Sequence, residues 1–437
     1  MPQSILIVGN GVAGPVLATC LLLSPLPPSE RPHITILERS SSPRIQGQNV
    51  DVRGAGVGVI RRLGLESSVR SSTTKEEGVE WVDSSNRTWC RLGADKSGKV
   101  QTATSDIEIL RGRLAQLCYL KCKEVSDAAI ARGERGVEFI FGDYIQDLQQ
   151  DADKVTVRLA KSGKTQSYDL LIAADGLLSR TRRLAFGAAE DDAAQQRMGI
   201  WGGFFSLPRG PNDSLWRRWF HTTRSRGIMV RPHDDPSLST VFMYVVNSSD
   251  SRFDSVADDG RKGLPEQKAL LAEYFSDGGW ECPRILQEMH KAEDFYYAPV
   301  AQIRFPDADG CPWAKGRVVL LGDAAYCASP ISGMGTTLAL TGAYHLAGAL
   351  VEHGDDTAAA FAQYHAKMRP VVTKAQKLPL GGKGFHWTNP ESTWGIFVLH
   401  CIIAFIYYSR IGKLIFMILG PPAGDSESID DYGFRQL

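Results

Sequence analysis

Three short constellations, far apart in the chain, carry residue types suited to holding one large phosphorylated cofactor. The first is Gly9-Asn10-Gly11-Val12-Ala13-Gly14, which follows the apolar run Ile5-Leu6-Ile7-Val8 and precedes a helix-like stretch, Val16 to Leu23. In such a turn Gly9 lets the chain bend tightly, Gly11 lets phosphate approach the backbone, and Gly14 lets helix and strand pack closely. The N–H groups without partners at the helix start, around Val12 and Ala13, then face an anion. A second strand-like run, His33 to Leu37, delivers Glu38 and Arg39, and the Glu38 carboxylate can accept hydrogen bonds from ribose hydroxyls. Strand, glycine turn, helix, strand and acid in this order point to a dinucleotide.

The other two constellations are also apolar strands that end in chemistry. Leu170-Leu171-Ile172-Ala173-Ala174 leads to Asp175-Gly176 and then to Ser179 and Arg180. Arg317-Val318-Val319-Leu320-Leu321 leads to Gly322-Asp323, where a carboxylate can accept from a chain of hydroxyls. Pro330, Gly333 and Gly335, with Met334 and Thr336 between and after them, then shape a helix start whose partial positive charge suits an anionic ring edge.

Elements able to position these turns fit within 437 residues, a length that suggests two or three domains, with interleaving allowed. Lys+Arg and Asp+Glu balance at 49 each, which gives no footing for nucleic acid as a partner. The eight cysteines lack CxxC or zinc-type spacing, so no metal site is expected, and reduced thiols fit a reducing compartment. No basic leader precedes the first strand, and a cytoplasmic location is the expectation. A helix entering at Arg111 is expected to pack through Leu114, Leu117 and Leu120, followed by a β-meander of Val137–Phe141, Val155–Leu159 and Tyr168–Ala174. Between about residues 195 and 300 the sequence changes to aromatic-rich strands, the texture of a sheet covering an apolar ligand. Phe204, His221, Met229 and Tyr244 are its candidate substrate residues, with Arg226 and Arg231 as further candidates to assist a phenolic group. No obligatory catalytic base is legible, and no catalytic residue is assigned.

At this point the chain resembles the class A flavoprotein monooxygenases, the family of para-hydroxybenzoate hydroxylase and the tetracycline-inactivating monooxygenases, over about residues 4 to 370. The resemblance implies an α/β fold: a Rossmann-type FAD-binding domain (1–75, 105–190 and 295–370), an inserted β-rich substrate domain (76–104 and 191–294) and C-terminal helices forming a cap or bridge (371–437). It implies that the first loop holds the FAD pyrophosphate, Glu38 the adenosine ribose, Arg111 of the Arg-x-x-Leu helix the FAD chain, and Asp323 the ribityl chain. Asp175 and Gly176 would handle FAD and NAD(P)H, and Arg53 would lie at the edge of the isoalloxazine. NAD(P)H, a transient co-substrate, would reduce FAD, and dioxygen would deliver one oxygen atom to the substrate through a flavin C4a-hydroperoxide. The expected reaction is hydroxylation or epoxidation of an aromatic or polycyclic apolar metabolite, in secondary metabolism. Alternatives are an FAD-dependent reductase, dehydrogenase or halogenase on the same fold, or a non-catalytic flavin-binding module. The chain departs from the family in having Tyr326 where many relatives have His, Met334 for Gln and Thr337 for Asn.

Two apolar runs close the chain, Trp394 to Tyr408 and Leu414 to Leu419, separated by Arg410 and Lys413. The first is shorter than a spanning helix. A packed cap over the substrate cleft is expected, and membrane association through 394–419 is the less favoured reading.

Overall fold

The computed structural model describes residues 3–44, 47–94, 106–258, 263–307, 310–382, 384–409 and 428–436. The run Leu414 to Leu419 lies outside them.

Two sheets organise the chain. The first has six strands in the order Ala314–Lys315, Val318–Leu320, Leu170–Ala173, Ser4–Val8, His33–Glu38 and Val137–Phe141. All its pairings are parallel except that of the short edge strand Ala314–Lys315. Its strands are almost wholly apolar because helices cover both faces, as a parallel sheet requires. Ala13–Leu22 packs against Arg111–Ala131 and Gly335–His353, and the last packs against Thr357–Gln376.

Register is what matters for function. Val8 lies beside Leu37 and Ala173, and Ala173 beside Leu320, so four neighbouring strands end level with one another. The turns at Gly9, Glu38, Asp175 and Gly322 therefore leave the sheet at one edge. Ligands of open α/β sheets bind at this place, outside the carboxyl ends of the strands.

The second sheet has seven strands in the order Tyr296–Ile303, Gln195–Pro208, Leu238–Val246, Arg226–Pro232, Trp216–Thr222, Gly78–Val82 and Thr88–Gly93. One face packs on helices Leu264–Phe275 and Cys282–Lys291 through Phe205, Met243, Leu271 and Ile285. The other face looks towards the first sheet's turns.

Two local expectations are revised. The Arg111 helix buries Leu114, Cys118, Cys122, Val125 and Ala129, whereas Leu120 is exposed. Small residues are needed there because the helix lies close to Ala13–Leu22, and leucine spacing alone misplaced the stripe. Nor is the meander as expected: Val137–Phe141 and Leu170–Ala173 belong to the parallel sheet, while Ile145–Gln150, Val155–Leu159 and Thr165–Tyr168 form a separate antiparallel sheet.

The chain's last described residues return to the first sheet's helices. Tyr432 and Phe434 are buried against Tyr344, and the Arg435 N–H donates to the Leu23 carbonyl at 2.9 Å.

Candidate functional site

The first turn is shaped by contact. Gly9 has φ of +111°, and a Cβ there would collide with the Ala174 carbonyl; one at Gly14 would collide with the Gly9 carbonyl. A Cβ on Gly11 would meet nothing within 4 Å, so the bare side of the loop faces open space. Val12 is half-buried and Ala13 buried at the start of the helix. Glu38 is held at the end of its strand by N–H donors from Asn10 at 3.0 Å and Ser40 at 2.8 Å, and Arg39 beside it is exposed.

Asp175 accepts from Ser179 Oγ at 2.5 Å and from Thr181 Oγ1 at 2.8 Å, while Gly176 carries φ of +89°. Ser179 in turn caps the following helix. Arg182 from that helix is fully buried, pairs with Asp191 at 2.6 Å and donates to the Ala324 carbonyl at 2.9 Å. The second constellation is thereby tied to the third.

Gly322 turns with φ of +65°, its α-carbon facing Ala13 and Ala339, and Asp323 follows beside Gly335. Burial pushes the Asp323 carboxyl upward, an effect partly offset by the Arg111 guanidinium. Arg111 also lies over the Tyr296 ring at 5.6 Å.

The 47–54 segment is fastened to the helix start at Gly335. The Arg53 N–H donates to Thr337 Oγ1 at 3.0 Å, the same hydroxyl donates to the Arg53 carbonyl at 3.1 Å, and the Arg53 guanidinium pairs with Asp51 at 2.8 Å. Thr337 thus holds the loop by its main chain. Tyr326 is a core residue: its hydroxyl accepts from Tyr364 at 2.8 Å, and only a glycine at 342 leaves room for it. Met334 is half-buried at the cap position of that helix.

Between these turns and the second sheet lies a cavity of about 530 Å³. It is lined on one side by Arg53, Arg111, Asp323, Pro330, Gly333, Gly335 and Thr336, and on the other by the sheet. Alternate residues of a strand share a face, which divides the sheet wall into rows. The first is apolar: register places Trp219 opposite Met229, Met229 opposite Phe242, Phe242 opposite Phe204, and Phe204 opposite Tyr296. Phe204 stacks on Phe242 at 4.2 Å and on Tyr296 at 4.8 Å between ring centroids. Two residues along each strand is a polar row, Arg217, Arg231, Thr240 and Ser206. Glu76 and Glu108 sit behind these arginines: Arg217 pairs with Glu76 at 2.6 Å and Arg231 with Glu108 at 2.5 Å. Burial raises both carboxyls; the guanidiniums prevail at Glu76 and take it below the usual carboxylate range, while burial prevails at Glu108 and leaves it above.

The third row, two residues the other way, holds His221 and Tyr244, neither of which lines the cavity. Tyr244 accepts from Trp219 Nε1 at 2.8 Å and donates to Asn389 Oδ1 at 2.7 Å. His221 lies 3.5 Å from His400. Both expected substrate residues are therefore covered by residues 385–400, and Arg226 is buried against Asp277 away from the cavity. Phe204, Met229 and Arg231 do line it.

Sequence reasoning missed Ser329 and Phe385. Ser329 lines the cavity with φ of +74°, a conformation that no serine advertises in sequence, and its buried hydroxyl has no partner in the protein. Phe385 closes one end of the cavity. The Asn10 amide, within the first loop, is likewise buried without a partner. These orphaned polar atoms, together with the cradle at Gly9, Gly11 and Gly14, are what a bound dinucleotide would complete.

Comparison with known proteins agrees with this geometry. The family model described as "FAD binding domain" matches residues 3–262 and 286–378. The chain is 34% identical to FAD-dependent monooxygenase asL6 of Sarocladium schorii over 421 residues, covering 95% of each chain. It is 34% identical to Monooxygenase CTB7 of Cercospora beticola over 418 residues, covering 94% of each. Among solved structures, tetracycline destructase Tet(51) superposes with a TM-score of 0.75 at 26% identity, covering 99% of this chain and 100% of that one. With four strand ends converging on one cradle and a cavity opening beside it, the chain belongs to the FAD binding domain family and is an FAD-dependent monooxygenase.

Proposed function

We propose that this monooxygenase hydroxylates or epoxidises an aromatic or polycyclic apolar metabolite with NAD(P)H and dioxygen as co-substrates, as a cytoplasmic step of secondary metabolism. The observation that carries the reading is the aromatic row laid beside the polar row in a cavity that also reaches Arg53, Asp323 and the Gly335 helix start. Similarity to a tetracycline destructase, named for a polycyclic molecule, supports the substrate class.

In this reading the chain divides as 1–75, 105–190 and 295–370 for FAD, 76–104 and 191–294 for substrate, and 371–437 as a C-terminal cap. The N–H groups of Gly11, Val12 and Ala13 hold the pyrophosphate, and Gly9 and Gly14 shape that turn. Glu38 accepts from the adenosine ribose with Arg39 beside it, and Arg111 and Asp323 grip the chain between phosphate and ring. Asp175 and Gly176, braced by Ser179 and Thr181, shape the neighbouring wall, as Gly322 and Pro330 shape theirs. When bound, FAD supplies hydride acceptance and oxygen activation. The N–H groups of Gly335 and Thr336, at the positive end of a 19-residue helix, favour negative charge beside them, while Gly333 and Met334, whose N–H groups donate to the Pro330 carbonyl and Ser332 Oγ, shape the turn into that helix. Arg53 adds a cation there. Phe204, Phe242, Tyr296 and Met229 orient the substrate's ring face and exclude water. Arg217 and Arg231, held by their glutamates, donate hydrogen bonds to the oxygens on the substrate's edge.

The test is anaerobic reduction of the bound flavin by NADH or NADPH, followed by oxygen uptake across a panel of fused phenolics and linear apolar compounds. Uptake linked to fused phenolics, with one labelled oxygen atom in the product, is expected. Product formed equally well without oxygen would replace this reading by that of a reductase.

A further inference from the structure

Helix Thr393–Tyr408 contains no charged side chain and buries only His400. It lies across the edge strand Thr88–Gly93 and Trp216–Thr222, with His400 seated between His221 and Trp89. The expected cap over the cleft is instead made by Phe385, held through Asn389, and the helix turns its other side outward. At 100° per residue, Trp394, Phe397, Cys401, Ile402, Phe405 and Tyr408 fall on one face. All six are exposed, Trp394 and Tyr408 at 72% and Phe405 at 67%. The four aromatic rings of this face, Trp394, Phe397, Phe405 and Tyr408, expose on the order of 500 Å², within the range of a monomer's largest apolar patch.

We propose that this face docks on the surface of an anionic lipid bilayer. Tryptophan and tyrosine stand at its two ends, about 21 Å apart along the axis, the residue types that settle at headgroup level. An interfacial helix ordinarily keeps a polar face towards water; here the protein body takes that side. Charge supports lipid over a second copy of the chain. Exposed Glu391 precedes the helix, while Arg410 and Lys413, which lie outside the described residues, follow it with no acid before Asp425, so the flanks are net positive and complementary to anionic headgroups. The helix is short for crossing, and none among the described residues is long and apolar enough to span a membrane. Residues Pro390 to Ser392 join it directly to Asn389, so docking would bring the lipid surface near the cavity's Phe385 end.

The experiment uses the full flavin-loaded chain, sedimented with vesicles of phosphatidylcholine alone or with about one-third phosphatidylglycerol. Binding to the mixed vesicles that weakens with salt is expected, together with quenching of Trp394 by brominated acyl chains that disappears in Trp394→Phe. The double variant Trp394→Ser, Phe405→Ser, altered at two outward-facing positions, should retain flavin and lose vesicle binding by about tenfold or more. The proposal is overturned if neither vesicle binds the protein, if the double variant binds like the wild type, or if the wild type is a dimer that the double variant dissociates. Flavin content reads the cofactor separately, so its loss would strike the enzymatic reading and not this one.

Discussion

At the scale of single residues, His221 shows how burial substitutes for chemistry. Burial, and then the neighbouring His400, hold its imidazole down to about 3. The folded state therefore keeps His221 neutral where the unfolded chain would protonate it. Its contribution to stability is complete above the ordinary histidine value and drains away as pH falls from about 6.5 towards 3, by about 1.4 kcal/mol per pH unit. His221→Phe should keep the stacking on Trp219 and flatten that slope in urea titrations at successive pH values; an unchanged slope would place the titrating group elsewhere. Asp323 makes the complementary case: its half-buried carboxylate lines the cavity, with the Cys327 thiol and the Arg111 guanidinium beside it. Asp323→Ala should fold, as judged by its far-ultraviolet spectrum, and be purified with most of its flavin lost.

Among elements, Gly335–His353 does the most varied work. Its start presents N–H groups to the cavity, Thr337 binds the main chain of Arg53, and Gly342 makes room for Tyr326. Thr337→Val removes both hydrogen bonds at a cost of about 1–3 kcal/mol, which should appear as about a tenfold or greater weakening of FAD with little change in fold. Gly342→Ala should instead lower stability by about 1–3 kcal/mol through overpacking, with FAD affinity kept; a calorimetric scan with and without added FAD separates the two. The parallel sheet and its turns were legible because buried strands read as unbroken apolar runs and glycine marks places where no Cβ fits. The second sheet's site was less so. Its aromatic texture was visible, but which of two faces a residue takes, and which row along it, depends on register between strands distant in sequence. Thus Phe204 and Met229 were found, whereas His221 and Tyr244 sit on the correct face yet beneath residues 385–400. No local pattern forecasts that cover.

For the whole molecule, the C-terminal portion reaches both sheets. Helix Thr393–Tyr408 lies on the second sheet, while residues 428–436 lock onto the helices of the first through Tyr432, Phe434 and Arg435. Tyr432 covers Gly348, and its hydroxyl lies 2.9 Å from His345 Nδ1. Deleting residues 428–437 should uncover Tyr344 and lower the melting temperature by about 5 °C or more, leaving the spectrum of bound flavin unchanged. Phe385→Ala acts elsewhere on the same portion: it lengthens the cavity and should shift preference towards larger substrates through KM, with flavin reduction unaltered.

The spacing of the sheet wall also acts as a ruler. Apolar and polar rows are two residues apart along each strand, roughly 7 Å, about the breadth of one six-membered ring with its oxygen. A molecule whose ring rests on the edges of the Phe204, Phe242 and Tyr296 stack meets Arg231 and Thr240 only if it bears a heteroatom one ring-width from that point of contact. Fused phenols and enols satisfy that measure, and long unbranched chains do not.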